Sequence, residues 1–204
     1  MSQKFLRDYF AAQYVVESSS SALSYLNDWT RRADFREVLR LACGITNDAT
    51  SLLKGVLDCE NVSEADRNVL LAEILAQPMA ADQKLVAKSS DAIVNWLDAM
   101  LEDWSIDFQG SPRSEGLEAS WELVARGNPI GKAQQSVEGA LTAIHRARSG
   151  PAYGSFRQRM GGTRSAVLSA FADSLEVEGR LEIQFTPKAK AGTLRVAIVE
   201  PQLM

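Results

Sequence analysis

The sequence predicts a mainly α protein: an N-terminal helical bundle, a further helical segment, and a small antiparallel β-hairpin near the C-terminal end. Three observations predict it. From residue 2 to about residue 107, apolar residues recur three and four apart with hardly any proline, which is the period of helices that bury one face. Gln109-Gly110-Ser111-Pro112 then interrupts that period, because glycine and proline together stop a helix. Residues 180–200 switch to strict alternation of apolar and polar side chains, the two-residue period of a strand with one buried face.

Each element has its own signal. Phe5, Leu6, Tyr9, Phe10 and Tyr14, then Leu23, Tyr25 and Leu26, outline a first helix with a bend expected at the serine run 18–21, where side chains compete for backbone hydrogen bonds. Asp34 with Glu37 three residues on is a capping-box-like start for a second helix reaching Leu57, and Ser63 with Asp66 opens a third that ends near Pro78. Leu85, Val86, Ile93, Trp96, Leu97, Met100, Leu101 and Trp104 make a strongly amphipathic fourth, with Asp91, Asp98, Glu102 and Asp103 elsewhere on its circumference. The Gln109–Pro112 break places a domain boundary there, dividing the chain into 1–110 for association or partner binding and 111–204 for the rest. Two shorter helices are expected after it, 114–126 with Gly127 as C-cap and 129–148 opened by Pro129. The hairpin 180–200 turns through Pro187-Lys188-Ala189-Lys190-Ala191-Gly192 and needs a helical layer over its apolar face, since a lone hairpin is marginal in water.

Composition bounds the function. With 204 residues, 46% of them apolar, and four tryptophans, the chain can bury a substantial core. No apolar run approaches the roughly 18 residues of a membrane span, and the N-terminus mixes Lys4, Arg7 and Asp8 with apolar residues where a secretory signal would be apolar. A cytoplasmic protein with no membrane partner is the expectation. Cys43 and Cys59 form no short-spaced pair, so they read as core thiols in a reducing compartment.

The net charge of −4 conceals an asymmetry. Residues 139–172 hold five arginines, the only histidine and no acid, leaving 17 bases against 26 acids for the rest of the chain. An acidic body restricts any polyanion to one local face. Within this stretch the order is helix to Arg148, a Gly150-Pro151 turn, a short helix 153–160, Met160-Gly161-Gly162-Thr163, a helix 163–175 and the hairpin. The turn offers an apolar residue, a glycine able to adopt positive φ, and a threonine N-cap. In that order the last seventy residues resemble the winged helix-turn-helix superfamily. The resemblance implies that Val167, Leu168 and Phe171 bury a recognition helix whose N-terminal end, capped by Thr163 within the nucleic-acid-binding set, presents Arg164, Ser165 and Ser169 to base edges in a major groove. It implies phosphate contacts from Arg157 and Arg159, backbone or minor-groove contacts from Lys188 and Lys190 on the wing, and contributions from Arg146, Arg148 and Tyr153 at the margin.

The expected function is therefore a non-enzymatic DNA-binding protein, a regulator of transcription, with double-stranded DNA as partner and its N-terminal helices mediating homo-oligomer formation. Acidic residues at Asp173, Glu176, Glu178 and Glu182 follow the basic stretch closely, which keeps a second reading open. In it the chain is a structural or assembly subunit of a particle or multiprotein complex, and its arginines meet acidic residues of a protein partner. Arginines near helix C-termini also have a purely structural explanation.

Other motifs lead nowhere. Gly127-Asn128-Pro129-Ile130-Gly131-Lys132-Ala133 lacks the spacing and the Ser or Thr of a phosphate-binding loop. His145 has no acid near it in sequence, and one histidine with two separated cysteines makes no zinc set, so no cofactor or metal is expected. Asp98, Glu102, Asp103 and Asp107 read as a solvated helix face, Trp96 and Trp104 as core or interface, and Leu41-Ala42-Cys43-Gly44-Ile45-Thr46-Asn47 as a faint second helix-turn-helix without a wing.

Overall fold

The computed structural model describes residues 3–17, 33–60, 62–110, 119–150, 152–187 and 191–199. Among them the fold is mainly helical with one four-stranded antiparallel sheet in the C-terminal half. Its elements are α1 (Gln3–Glu17), α2 (Ala33–Ile45), α3 (Thr50–Leu57), α4 (Glu64–Leu75), α5 (Gln83–Leu101), β1 (Ser105–Gly110), β2 (Ala119–Gly127), α6 (Gln134–Arg146), α7 (Tyr153–Gly161), α8 (Ala166–Ser174), β3 (Arg180–Pro187) and β4 (Gly192–Val199). Short 3-10 turns precede and follow α6. None of the described helices is long and apolar enough to cross a membrane.

Side-chain caps explain several helix starts. Ser63 accepts the Asp66 N–H at 3.1 Å, and Asp82 accepts from Lys84 and Leu85, each satisfying orphan donors of a first turn. The single helix expected to reach Leu57 is instead two. Thr46 and Asp48 bond one another through side chain and backbone, and the Asp48 carboxylate accepts the Thr50 N–H at 2.9 Å, so these side chains close one helix and start the next. Those bonds to Thr50 hold the exposed Asp48 carboxyl below its ordinary pKa. The side chain of the expected Asp34 cap, the serine run 18–21 and Leu23, Tyr25 and Leu26 lie outside the described residues.

Over its described part, from Ala119 on, the helix expected over 114–126 is a strand. Ala, Leu, Glu and Arg favour a helix locally, but Trp121, Leu123 and Ala125 face the core in β2 and pair with Ile198, Val196 and Leu194 of β4, and burial of that shared face decides the outcome. Residues 111–118 lie outside the described set, and β1 and β2 pair with each other across them, so strands occupy both sides of the expected domain boundary. The strand order is β1-β2-β4-β3. Helices cover one face: α8 packs on β1 and β2, and α6 on β3. The opposite face carries Glu122 against Arg195, and Arg126 against Asp107 at 2.6 Å.

Gly127 is no C-cap. It pairs with Gly192 across β2 and β4, and the Trp104 indole lies on the pair. A Cβ built on Gly127 would sit on the indole ring, so two glycines in register make the seat for a buried tryptophan. Phe185 meets Trp104 edge to face with ring centroids 6.0 Å apart. The helices and the sheet share one continuous apolar cluster, which includes Leu39, Leu53, Leu71, Leu97, Phe156 and Phe171. Cys43 and Cys59 are buried, and burial raises the Cys43 thiol to about 12, which keeps it protonated at neutral pH.

Candidate functional site

The α7–turn–α8 unit lies close to its expected position, yet its chemistry differs. Helix α8 begins at Ala166 with Ser165 as N-cap, two residues later than a Thr163 cap would start it. Thr163 instead donates its hydroxyl to the Met160 carbonyl at 2.8 Å, finishing α7. Neither Gly161 nor Gly162 takes positive φ, and Gly162 closes the turn at φ −102° and ψ 6°.

Ser165 is fully buried, a correction to the expectation that it faces base edges. Its hydroxyl accepts the Leu168 N–H at 3.3 Å and donates to the Leu101 carbonyl at 3.0 Å, while its own N–H donates to Asp98 Oδ1 at 2.8 Å. The N-terminal end of α8 is thereby stitched to the C-terminal turn of α5. The cause is elementary: both ends carry orphan groups of opposite kind, and one serine satisfies a donor of one and an acceptor of the other.

Three of the five arginines also find partners inside the chain. Arg159 pairs with Asp91 of α5 and bonds Ser155 at 3.2 Å, Arg157 meets Glu176 at 2.5 Å, and the exposed Arg164 lies 3.7 Å from Glu102. Arg159 and Arg164 therefore share the α5 side of the unit, whereas Arg157 turns to the residues following α8. Asp91, Asn95, Asp98, Gln158, Arg159 and Thr163 line a cleft of about 430 Å³ between α5 and the turn. Opposite charges meet across it. The exposed positions of α8 and its C-terminal extension are Ala166, Asp173 and Glu176, with Ser169 half-buried, so this stretch itself supplies two carboxylates, one of them met by Arg157 of α7.

Arg146 stands apart from these. It lines a groove of about 720 Å³ between α2, α4 and α6 together with Glu37, Arg40, Glu73 and Glu138. Arg148 is partly buried, and its Nε and one terminal nitrogen have no hydrogen-bond partner. His145 beside it is buried, and its Nε2 is equally without a partner. Desolvation first, then the Arg148 and Arg146 charges, lower the His145 pKa from 6.5 to about 4. The hydroxyl of Tyr153 donates to the Leu175 carbonyl at 2.9 Å, tying α7 to the end of α8. Lys188 and Lys190 lie outside the described residues. Among the described residues, no cluster of His, Cys, Asp and Glu is arranged to hold a metal ion.

A second surface arises at the opposite end of the chain. Helix α1 packs on α2 through Asp8, Ala12 and Val15, which are buried. Its other side exposes Leu6, Phe10 and Tyr14 at 40%, 62% and 62%. These residues are four apart, so they form one line along the helix. That spacing was legible in the sequence, but nothing local says which of two apolar faces meets α2. No protein-family model, curated protein or solved structure matches this chain.

Proposed function

We propose that this chain is a non-enzymatic docking subunit, a structural or assembly component that holds a protein partner through α1. The observation that carries this reading is the exposed line Leu6, Phe10 and Tyr14. Two aromatic rings held in solvent on one helix cost hydration free energy in a free monomer, and aromatic anchors at helical spacing are what a helix lays into a partner's groove. Polar Gln3, Arg7, Gln13 and Glu17 flank the line, as a rim flanks an interface core.

The reading that makes the chain a DNA-binding regulator draws less from the same geometry. DNA affinity comes from cations free to displace counterions, and Arg157, Arg159 and Arg164 each face a carboxylate of their own chain. The exposed Asp173 would meet phosphate with the wrong sign. The winged-helix likeness enters the proposal as a docking scaffold, since α6, α7, α8, β3 and β4 follow one another in the order it implies. A buried free thiol at Cys43 suits the cytoplasm as the setting.

The test has two arms. A photo-crosslinking residue placed at Phe10 or Tyr14 in the native cell should capture one defined protein, while the same residue at exposed Asn95 on α5 captures none. Random duplex DNA titrated at about 50 and 200 mM salt should show no binding. Affinity that falls steeply with salt and collapses in Arg157→Glu/Arg159→Glu would overturn the docking reading in favour of DNA.

A further inference from the structure

The sheet has two edges, and they are built differently. Edges expose unpaired N–H and C=O groups, which natural proteins blunt with bulges, charges or covering elements. On β1 the register against β2 shifts between Ile106 and Phe108, which breaks the edge after two residues. Strand β3 has no such break. Its eight residues pair with β4 in unbroken register from Arg180↔Val199 to Pro187↔Gly192, and among the described residues its backbone bonds to nothing else. Leu181, Ile183 and Phe185 point to the helical face, yet they are only half-buried, whereas their β4 partners Ile198, Val196 and Leu194 are fully buried. The helical layer covers this edge strand less fully than it covers β4.

We infer that β3 pairs with β3 of a second copy, in antiparallel register centred on Ile183, to give a continuous eight-stranded sheet. The pattern of β3 selects this occupant. Centring on Ile183 sets Ile183 opposite Ile183 and Leu181 opposite Phe185 on the core face, and Glu182 opposite Gln184 and Arg180 opposite Thr186 on the other. Centring on Glu182 would set two carboxylates face to face. Centring on Gln184 would set Leu181 against Pro187, which has no N–H to give to a ladder. One register alone keeps three apolar pairs and no like charges directly opposed, and a two-fold axis requires that kind of self-matching. This interface is separate from α1 and stands whether or not α1 binds a partner.

The experiment combines sedimentation with hydrogen exchange on the unmodified chain. Dimer should grow with concentration, and alternate β3 amides should exchange about tenfold more slowly at high than at low concentration, with no such change in α1. Register is read by cysteines. Ile183→Cys should link to itself on oxidation, because residues directly opposite on antiparallel strands lie within disulfide reach. Leu181→Cys and Phe185→Cys should link only when mixed. A chain that remains monomeric at about millimolar concentration, with β3 exchange independent of concentration, overturns the inference. So does a dimer whose concentration-dependent protection falls on α1 and which Phe10→Glu abolishes.

Discussion

His145 should make the protein acid-labile in a narrow and calculable window. Its folded pKa of about 4 lies below the unfolded value of 6.5, so between those two values the unfolded chain binds a proton that the folded chain refuses. The sign follows. Stability from keeping this imidazole neutral is complete above pH 6.5, declines as the pH falls, and is exhausted below about 4. The full span corresponds to about 3 kcal/mol, and the part lost between pH 7.5 and pH 5 to about 2 kcal/mol. That is a sizeable share of the roughly 5–15 kcal/mol that holds a domain together. Because the chain has one histidine, no other side chain with an unperturbed pKa in this range competes for the effect. The assay is urea unfolding followed by tryptophan fluorescence, as Trp96, Trp104 and Trp121 are all buried. Wild type should lose about 2 kcal/mol more than His145→Gln on going from pH 7.5 to pH 5, a midpoint difference of roughly 1 M urea. Equal losses in the two proteins would refute the reasoning, for they would mean that the imidazole finds a proton acceptor or water once charged.

Three further outcomes are expected. Gly127→Ala should cost about 1–3 kcal/mol, read as a drop in melting temperature, because the new methyl lands on the Trp104 ring. Combining it with Trp104→Leu should cost less than the sum of the two changes, and strict additivity would count against the seat. Ser165→Ala should lower stability by about 1–2 kcal/mol in urea, since it removes the α8 cap and the donor to Leu101 together; a loss under about 0.5 kcal/mol would show that α8 is not held to α5 by that side chain. Phe10→Ser should change stability by less than about 0.5 kcal/mol while abolishing crosslinking from Tyr14, and a large loss of stability would mean that Phe10 belongs to the core.

The helices were legible where pattern and cap agreed. Ser63 with Asp66 opened α4 as expected, and the apolar series from Leu85 to Leu101 defined α5, because local propensity, spacing and burial point the same way there. The misreading at β2 has a physical cause in the same terms. Ala119-Ser120-Trp121-Glu122-Leu123-Val124-Ala125-Arg126 holds good helix formers and also alternates, and only β4, some seventy residues away, makes alternation the paying choice. Trp104 shows the same limit: its seat needs Gly127 and Gly192, which no window of the sequence sees together.

The basic stretch was legible as composition but not as a surface. Charge counted along the chain becomes a field only after the partners of each charge are known, and α5 supplies them: Asp91 for Arg159 and Glu102 for Arg164, from a helix that ends more than sixty residues before Arg164 is reached. Exposed pairs of this kind contribute little to stability, about 0–1 kcal/mol each. Their larger effect is on what the surface can attract. An arginine already facing a carboxylate must give up that partner before it can hold a phosphate, so the acids of α5 lower the affinity of this face for any polyanion without altering the fold that carries it. Among the described residues, the same chain leaves Phe10 and Tyr14 exposed and the outer edge of β3 without a strand partner. Association that buries apolar rings or completes a strand ladder meets no such competing partner, which is why the two proposed interfaces are placed at α1 and β3 and not at Arg157, Arg159 and Arg164.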